Sequence, residues 1–239
     1  LKFLKYPIKV QKKNLDKIYI QGLKQFKAFK YNVPGDISSA AFFIVLTLLS
    51  KKSEIKIENV NINKSRIGII KILNKMGAGI KLKRKKIYNG EEISDIYVKS
   101  KTKLKFINCP SKLNSSAIDE FLIIFLVAAK AKGISKFKNL SEMNKKESKR
   151  LDLGIKFLRL IGIKVERFNN DINIYGNPDL VLTKKYEIKN FLKDHRIFFL
   201  SCIAALSLGG KWKINDKKSA NTSFPEFLKI LKKIGAKIN

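Results

Sequence analysis

A chain of 239 residues with 45% hydrophobic and 29% charged residues can bury a sizeable core, which excludes a disordered or fibrous polypeptide. Its 51 Lys+Arg against 19 Asp+Glu give a formal net charge of +32, which invites a nucleic-acid or small-anion partner. The lysines occur in every segment, without an RRM, KH or helix-turn-helix signature, so they fit a compositional bias better than a nucleic-acid footprint, and no nucleic-acid partner is expected.

The longest apolar runs, 40–49 and 121–129, fall short of the ~20 residues of a membrane helix, so no membrane partner is expected either. Lysine interrupts every short apolar run of the opening LKFLKYPIKV, which is therefore no signal peptide. Cys109 and Cys202 are far apart and outside any CxxC, which predicts buried, reduced thiols in a cytoplasmic protein, with no disulfide framework and no metal spacing. The first residue is Leu1 and not Met, so the chain is expected to be a fragment of something longer.

Residues 1–32 read as a short amphipathic end followed by strands at 17–22 (KIYIQG) and 26–33 (FKAFKYNV). VPGD (33–36) is a turn in which Pro34 fixes φ and Asp36 is positioned to cap a helix, and a boundary is expected there. One pattern then recurs three times: an almost wholly apolar helix, an alternating strand, an amphipathic helix closing at glycine, and a further strand. The first unit (about 33–104) has a helix at 37–50, a strand at 54–60, a helix at 66–76 and strands at 79–83 and 95–100. The second (about 105–178) has a helix at 116–131, a strand at 134–140, a helix at 146–161 and strands at 163–168 and 171–176. The third (about 179–239) has a helix at 195–208, a strand at 211–216, a helix at 224–234 and a closing strand, AKIN.

A helix that is apolar all round must be buried on all sides. The strands alternate, with Ile55 and Ile57 on one face and Glu54, Lys56 and Glu58 on the other, so one face of each sheet is wet. The expected fold class is α/β with helices inside and sheets outside, and outward sheet faces then carry much of the lysine. Gly77, Gly162 and Gly235 are equivalent C-cap signals.

Three clusters could carry chemistry. Lys146, Glu147 and Arg150 open the amphipathic helix of the second unit, where free N–H groups favour anions, although the spacing alone fits ion pairs on a wet face as well. His195 and Arg196 open an apolar helix; a lone histidine commonly caps or packs, but Arg196 there needs an anionic partner. Asp119 and Glu120 open another buried helix, where simple compensation of the helix dipole would account for them. If the units pack about a common axis, these helix starts meet on one face, and a carboxylate base, a carboxylic acid and three cations form a kit for proton transfer beside a phosphorylated or carboxylated substrate.

The segments VPGDISSAAFFIV (33–45), SSAIDEF (115–121), KKESKR (145–150), KDHRI (193–197) and NTSFPEF (221–227) resemble, in order, motifs of the EPSP synthase (3-phosphoshikimate 1-carboxyvinyltransferase) family. The TSFPEF…GAKI ending is closer to the glyphosate-tolerant bacterial class than to the enteric type, which has Lys at the position of Thr222. The resemblance implies an enolpyruvyl transferase lobe, an inside-out α/β barrel of three βαβαββ-type repeats, with 33–239 as the C-terminal lobe and 1–32 as the tail of the N-terminal lobe. It implies transfer of the enolpyruvyl group of phosphoenolpyruvate to the 5-hydroxyl of shikimate 3-phosphate, with no metal or cofactor, in a protein that is monomeric at full length. By the same resemblance, Asp119 matches the proton-accepting carboxylate that also holds the shikimate hydroxyls. Glu147 matches the acid near the methylene carbon, and Lys146 the lysine where the two substrates meet. Arg150 and Arg196 match the arginines that clamp phosphoenolpyruvate, and His195 the histidine beside that clamp. Asn144, Lys145 and Lys149 depart from the family's RVKESDR, Lys149 replacing an acid, while the matched positions are intact.

The family's N-terminal lobe brings the shikimate-phosphate motifs, which are missing here. The chain alone is therefore expected to bind weakly and turn over little or nothing until joined by that lobe. Two alternatives stay open at this stage: an enolpyruvyl transferase acting on a UDP-N-acetylglucosamine type substrate, against which VPGDISSAAFF and KES..R argue, and a basic nucleic-acid-binding module.

Overall fold

The structure is a computed structural model that describes residues 5–238 except 13–15, 23, 24, 26 and 190. In chain order it comprises β1 (Ile8–Gln11), β2 (Lys17–Ile20), α1 (Ile37–Leu49), β3 (Glu54–Asn61), α2 (Gly68–Lys75), β4 (Lys81–Tyr88), β5 (Glu91–Lys99), α3 (Asn114–Ala117), α4 (Phe121–Lys130), β6 (Gly133–Phe137), α5 (Arg150–Leu160), β7 (Val165–Phe168), β8 (Asp171–Gly176), β9 (Leu182–Ile188), α6 (His195–Leu208), β10 (Gly209–Ile214), α7 (Lys217–Asn221) and α8 (Phe227–Lys233). No helix among the described residues is long and apolar enough to cross a membrane.

Helices α1, α4 and α6 pack on one another, and most of the side chains they carry are buried. Their all-round apolarity leaves no face for water, so they form the axis of the molecule. Phe42 of α1 meets Phe199 of α6 edge-on, with ring centroids 5.0 Å apart, and Phe227 at the start of α8 lies 4.4 Å from Phe199. The sheets lie outside this axis. One is ordered β3-β5-β4 and another β6-β8-β7, both antiparallel, and β9 pairs with β10 in parallel. The side chains of Lys81, Lys83, Arg84, Lys85 and Lys86 on β4 are exposed, so the outer faces carry basic residues as expected.

The third unit shows the shared connection most fully: β9, then the buried α6, then β10 parallel to β9. In the other units the strand before the buried helix shrinks to isolated parallel bridges, Gly35 with Val60 in the first and Lys105 with Lys132 and Asn108 with Lys136 in the second. Parallel pairing across a crossover helix produces this arrangement. The amphipathic helices end as expected. Gly77, Gly162 and Gly235 have φ of 89°, 83° and 103°, a left-handed conformation that only glycine adopts without strain.

Several sequence expectations are corrected. Lys27–Val33 form no strand, and Phe26 lies outside the described residues. The expected helix over 116–131 is two helices, because the chain turns at Ile118–Glu120. The expected helix over 146–161 starts only at Arg150; Ser141–Lys145 form a 3-10 turn, and Lys146–Ser148 bend out of it. Residues 236–238 of the closing AKIN are not a strand, and Asn239 lies outside the described residues. Strand β9 went unread because its middle residues are largely exposed and it lacks clean alternation.

Candidate active site

The start of α6 is built by Asp194, whose Oδ1 accepts the backbone N–H groups of Arg196 at 2.8 Å and Ile197 at 3.3 Å. The start of α1 is built by Asp36, whose Oδ2 accepts Ser39 N–H at 3.0 Å. Helix α5 is capped from further back: Asn144 Oδ1 accepts Leu151 N–H at 3.0 Å and Asp152 N–H at 3.4 Å. This is a physical role for a residue that departs from the family pattern. It also explains why the helix begins at Arg150, since Asn144 satisfies the first-turn donors while Lys146 and Glu147 stay in the bend.

These starts converge around the break between α3 and α4, where Asp119 and Glu120 sit. The Asp119 carboxylate takes Arg150 Nη1 at 3.2 Å and Lys146 Nζ at 3.3 Å, and Arg196 Nη2 stands 3.9 Å away. Arg196 Nη1 also donates to the Asp119 backbone carbonyl at 2.6 Å. Arg150, with its side chain only 2% exposed, is shared by three carboxylates: Asp119, Glu147 at 2.6 Å through Nη2, and Asp194 at 3.2 Å through Nε. Asp194 is completed by the Ser148 hydroxyl at 2.5 Å. A guanidinium so deeply buried is tolerable because each edge of its fork meets a carboxylate.

Lys146, Glu147 and Arg150 thus do meet, but through a bend and not along one helical face. Glu147 remains mostly exposed at 74% although its carboxylate touches Arg150, so a proton can reach it from outside. Among the described residues the buried Nε–H of Arg196 has no acceptor, which leaves a donor beside this cluster fit for an anion. His195 packs edge-on against Phe199, at 6.0 Å between centroids. The six candidate site residues Asp119, Lys146, Glu147, Arg150, His195 and Arg196 therefore lie in or beside one cluster.

The electrostatics separate the acids. Burial pushes the Asp119 pKa up, but Arg196, Lys146 and Arg150 overcome it and hold the carboxyl below its usual range. Asp194 is likewise held low, because its bonds from Ser148 and Arg150 outweigh burial. Glu120 is raised, burial dominating over the Ser38 hydroxyl and the Arg196 charge. Burial also lowers the His195 pKa, Arg196 and Arg150 acting in the same direction against Asp194, so its imidazole is neutral at pH 7.

Three participants carry no sequence signal that was used, Arg66, Ser38 and Asp194, and Glu120 was noted beside Asp119 without a role of its own. Arg66 Nη2 lies 3.8 Å from Asp119 and donates to Ser38 Oγ at 3.0 Å, and Ser38 donates to Glu120 at 2.5 Å. The repeat held a usable signal, since Arg66 stands just ahead of the amphipathic helix of the first unit and Arg150 opens that of the second.

Buried helices inside outer sheets, with cations gathered at the helix starts, define the enolpyruvyl transferase fold. The enolpyruvyl transferase NikO from Streptomyces tendae superposes with a TM-score of 0.60 at 15% identity, over 84% of this chain and 43% of that one. The sequence model of EPSP synthase (3-phosphoshikimate 1-carboxyvinyltransferase) matches residues 1–231, and the chain belongs to the EPSP synthase family. The 3-phosphoshikimate 1-carboxyvinyltransferase of Ruthia magnifica subsp. Calyptogena magnifica is 39% identical over the whole chain, which covers 53% of that relative. That of Thermodesulfovibrio yellowstonii is 36% identical over 87% of the chain and 47% of the relative. An EPSP synthase structure from Acinetobacter baumannii superposes with a TM-score of 0.85 at 31% identity, over 97% of this chain and 53% of that one. The chain thus spans about half the length of the curated relatives it matches.

Proposed function

We propose that the protein to which this chain belongs transfers the enolpyruvyl group of phosphoenolpyruvate to the 5-hydroxyl of shikimate 3-phosphate in the cytoplasm, as a monomer without metal or cofactor. In this reading residues 33–239 are its C-terminal lobe, 1–32 the tail of the N-terminal lobe, and that lobe supplies the rest of the shikimate-phosphate site. The observation that carries it is the ionised Asp119 among Lys146, Arg150 and Arg196, with Glu147 on the outer edge of Arg150.

Asp119, held ionised, accepts the proton of the 5-hydroxyl as that oxygen bonds to C2 of phosphoenolpyruvate. Glu147 delivers a proton to C3, giving the tetrahedral intermediate. Loss of a C3 proton as the C2–O bond to phosphate breaks restores the enol and releases inorganic phosphate. Arg150 and Arg196 hold the carboxylate and phosphate of phosphoenolpyruvate, the free Nε–H of Arg196 being one donor still to be satisfied. Lys146 spreads positive charge over the meeting point of the two substrates. Neutral His195 stands beside this clamp.

The test is phosphate release from shikimate 3-phosphate plus phosphoenolpyruvate, by the chain alone and by the chain mixed with a separately made N-terminal lobe. Activity only on mixing, lost in Glu147→Gln, supports the reading. No activity with both lobes folded and associated overturns it.

A further inference from the structure

Glu120 is a carboxylic residue only 2% exposed, yet among the described residues no cation lies within hydrogen-bond distance of it; Arg196 Nη1 stands 4.0 Å away. It accepts instead from the hydroxyl of Ser38, near the start of α1, which donates to Glu120 Oε1 at 2.5 Å. That hydroxyl in turn accepts from Arg66 Nη2 at 3.0 Å. Ser38 therefore uses its single donor on one partner and an acceptor position on the other, and so conveys the charge of a half-exposed guanidinium to a buried carboxyl.

The two ends of this chain of bonds flank Asp119. Glu120 is its sequence neighbour at the break between α3 and α4, and Arg66 Nη2 stands 3.8 Å from Asp119 Oδ2. Arg66 also stands 3.9 Å from Asp36 Oδ1, the residue that caps α1. The geometry allows little slack: Gly68, two residues after Arg66, lies so close that a Cβ there would come within 2.6 Å of the Ser116 backbone.

We propose that Arg66, Ser38 and Glu120 form a positioning relay by which the first repeat fixes the orientation and charge of Asp119, making Arg66 a positioning residue of the site. The relay accounts for a buried carboxyl to which the clamp cations make no hydrogen bond, and for a cation of the first unit close to an acid of the second. Its importance for catalysis rests on the reading of Asp119 as the proton acceptor. The charged groups that face Asp119 and Glu120 from the packed elements are Arg66 from the first unit, Lys146 and Arg150 from the second, and Arg196 from the third; Asp36, Glu147, Asp194 and His195 lie beside those cations.

The test is a carbon-13 NMR titration of the Asp119 and Glu120 carboxyls in the 239-residue chain, each assigned from its Asn or Gln variant. Arg66→Met is expected to raise both midpoints, Asp119 by about half a unit, the sign following from removal of a half-screened positive charge. Arg66→Lys should recover part of the shift, and Lys229→Met on α8 should cause none. Ser38→Ala should raise the Glu120 midpoint with Arg66 still present, and it decides the matter should Arg66→Met fail to fold. Unmoved midpoints in a folded variant overturn the relay. A turnover profile of the lobe-complemented enzyme separates the two ideas: moved midpoints with no wild-type turnover leave the relay standing and remove the catalytic reading.

Discussion

The Arg150 guanidinium lies 3.2 Å from Asp119 Oδ1 and, through another edge, 3.2 Å from Asp194 Oδ2, so one buried side chain joins the second and third repeats. Arg150→Met would leave both acids without this partner. An uncompensated buried charge costs several kcal/mol, and the expected loss is about 3 kcal/mol, read from urea unfolding at pH 7. Arg150→Lys, which cannot reproduce the fork, should recover only a minor part.

Glu147 behaves differently because it is exposed. Glu147→Gln should change stability by no more than about 0.5 kcal/mol, as for most surface substitutions. Phosphate release by the complemented enzyme should still fall about 100-fold or more, the scale of a lost general acid. Unequal effects on folding and turnover are the expected signature, measured on the same preparation.

Asp194 and Asp119 should contribute to the acid stability limb. Their folded pKa values are depressed, so the stabilisation is present above the ordinary carboxylate pKa of about 4 and is lost as pH falls through the folded values. Asp194→Asn should lower stability at pH 7 and flatten the decline below about pH 4, in unfolding midpoints taken downward from pH 7.

Gly68→Ala should destabilise by about 2 kcal/mol, because its Cβ would meet Ser116 and Ala117 backbone atoms at 2.6 and 2.7 Å. Backbone cannot move aside as a flexible side chain can. The displacement should also reach Arg66 and raise the Glu120 midpoint in the same titration.

The thiols should be inert in the native chain. Burial pushes Cys109 up to about 11 and Cys202 up to about 12, so almost no thiolate exists at pH 8. Alkylation by iodoacetamide should follow unfolding, and rapid native labelling of either thiol would contradict the packing.

What was legible in the sequence was whatever repeats along one dimension. The runs at 37–50 and 195–208 had no polar face, so they had to be interior, and the structure buries them as α1 and α6. The glycines closing the amphipathic helices were readable because only glycine accepts their φ cheaply. The bend at Lys146–Ser148 was not readable, because it depends on Asn144 reaching Leu151 and Asp152 seven and eight residues on. The break at Asp119 was hidden too, since apolar residues flank it on both sides and periodicity cannot mark an interruption of that kind.

Sequence by itself therefore determined the layers, buried helices under outer sheets, because burial follows local apolarity and alternation. Ordered motifs also brought Asp119, Lys146, Glu147, Arg150, His195 and Arg196 forward as one family's residues. Only the tertiary structure decided how they meet. Ser38 and Glu120 are 82 residues apart, and Arg196 reaches the Asp119 carbonyl across 77. Such bonds exist only after three helix starts have been packed onto one face, and the strength of each depends on how far that packing excludes water.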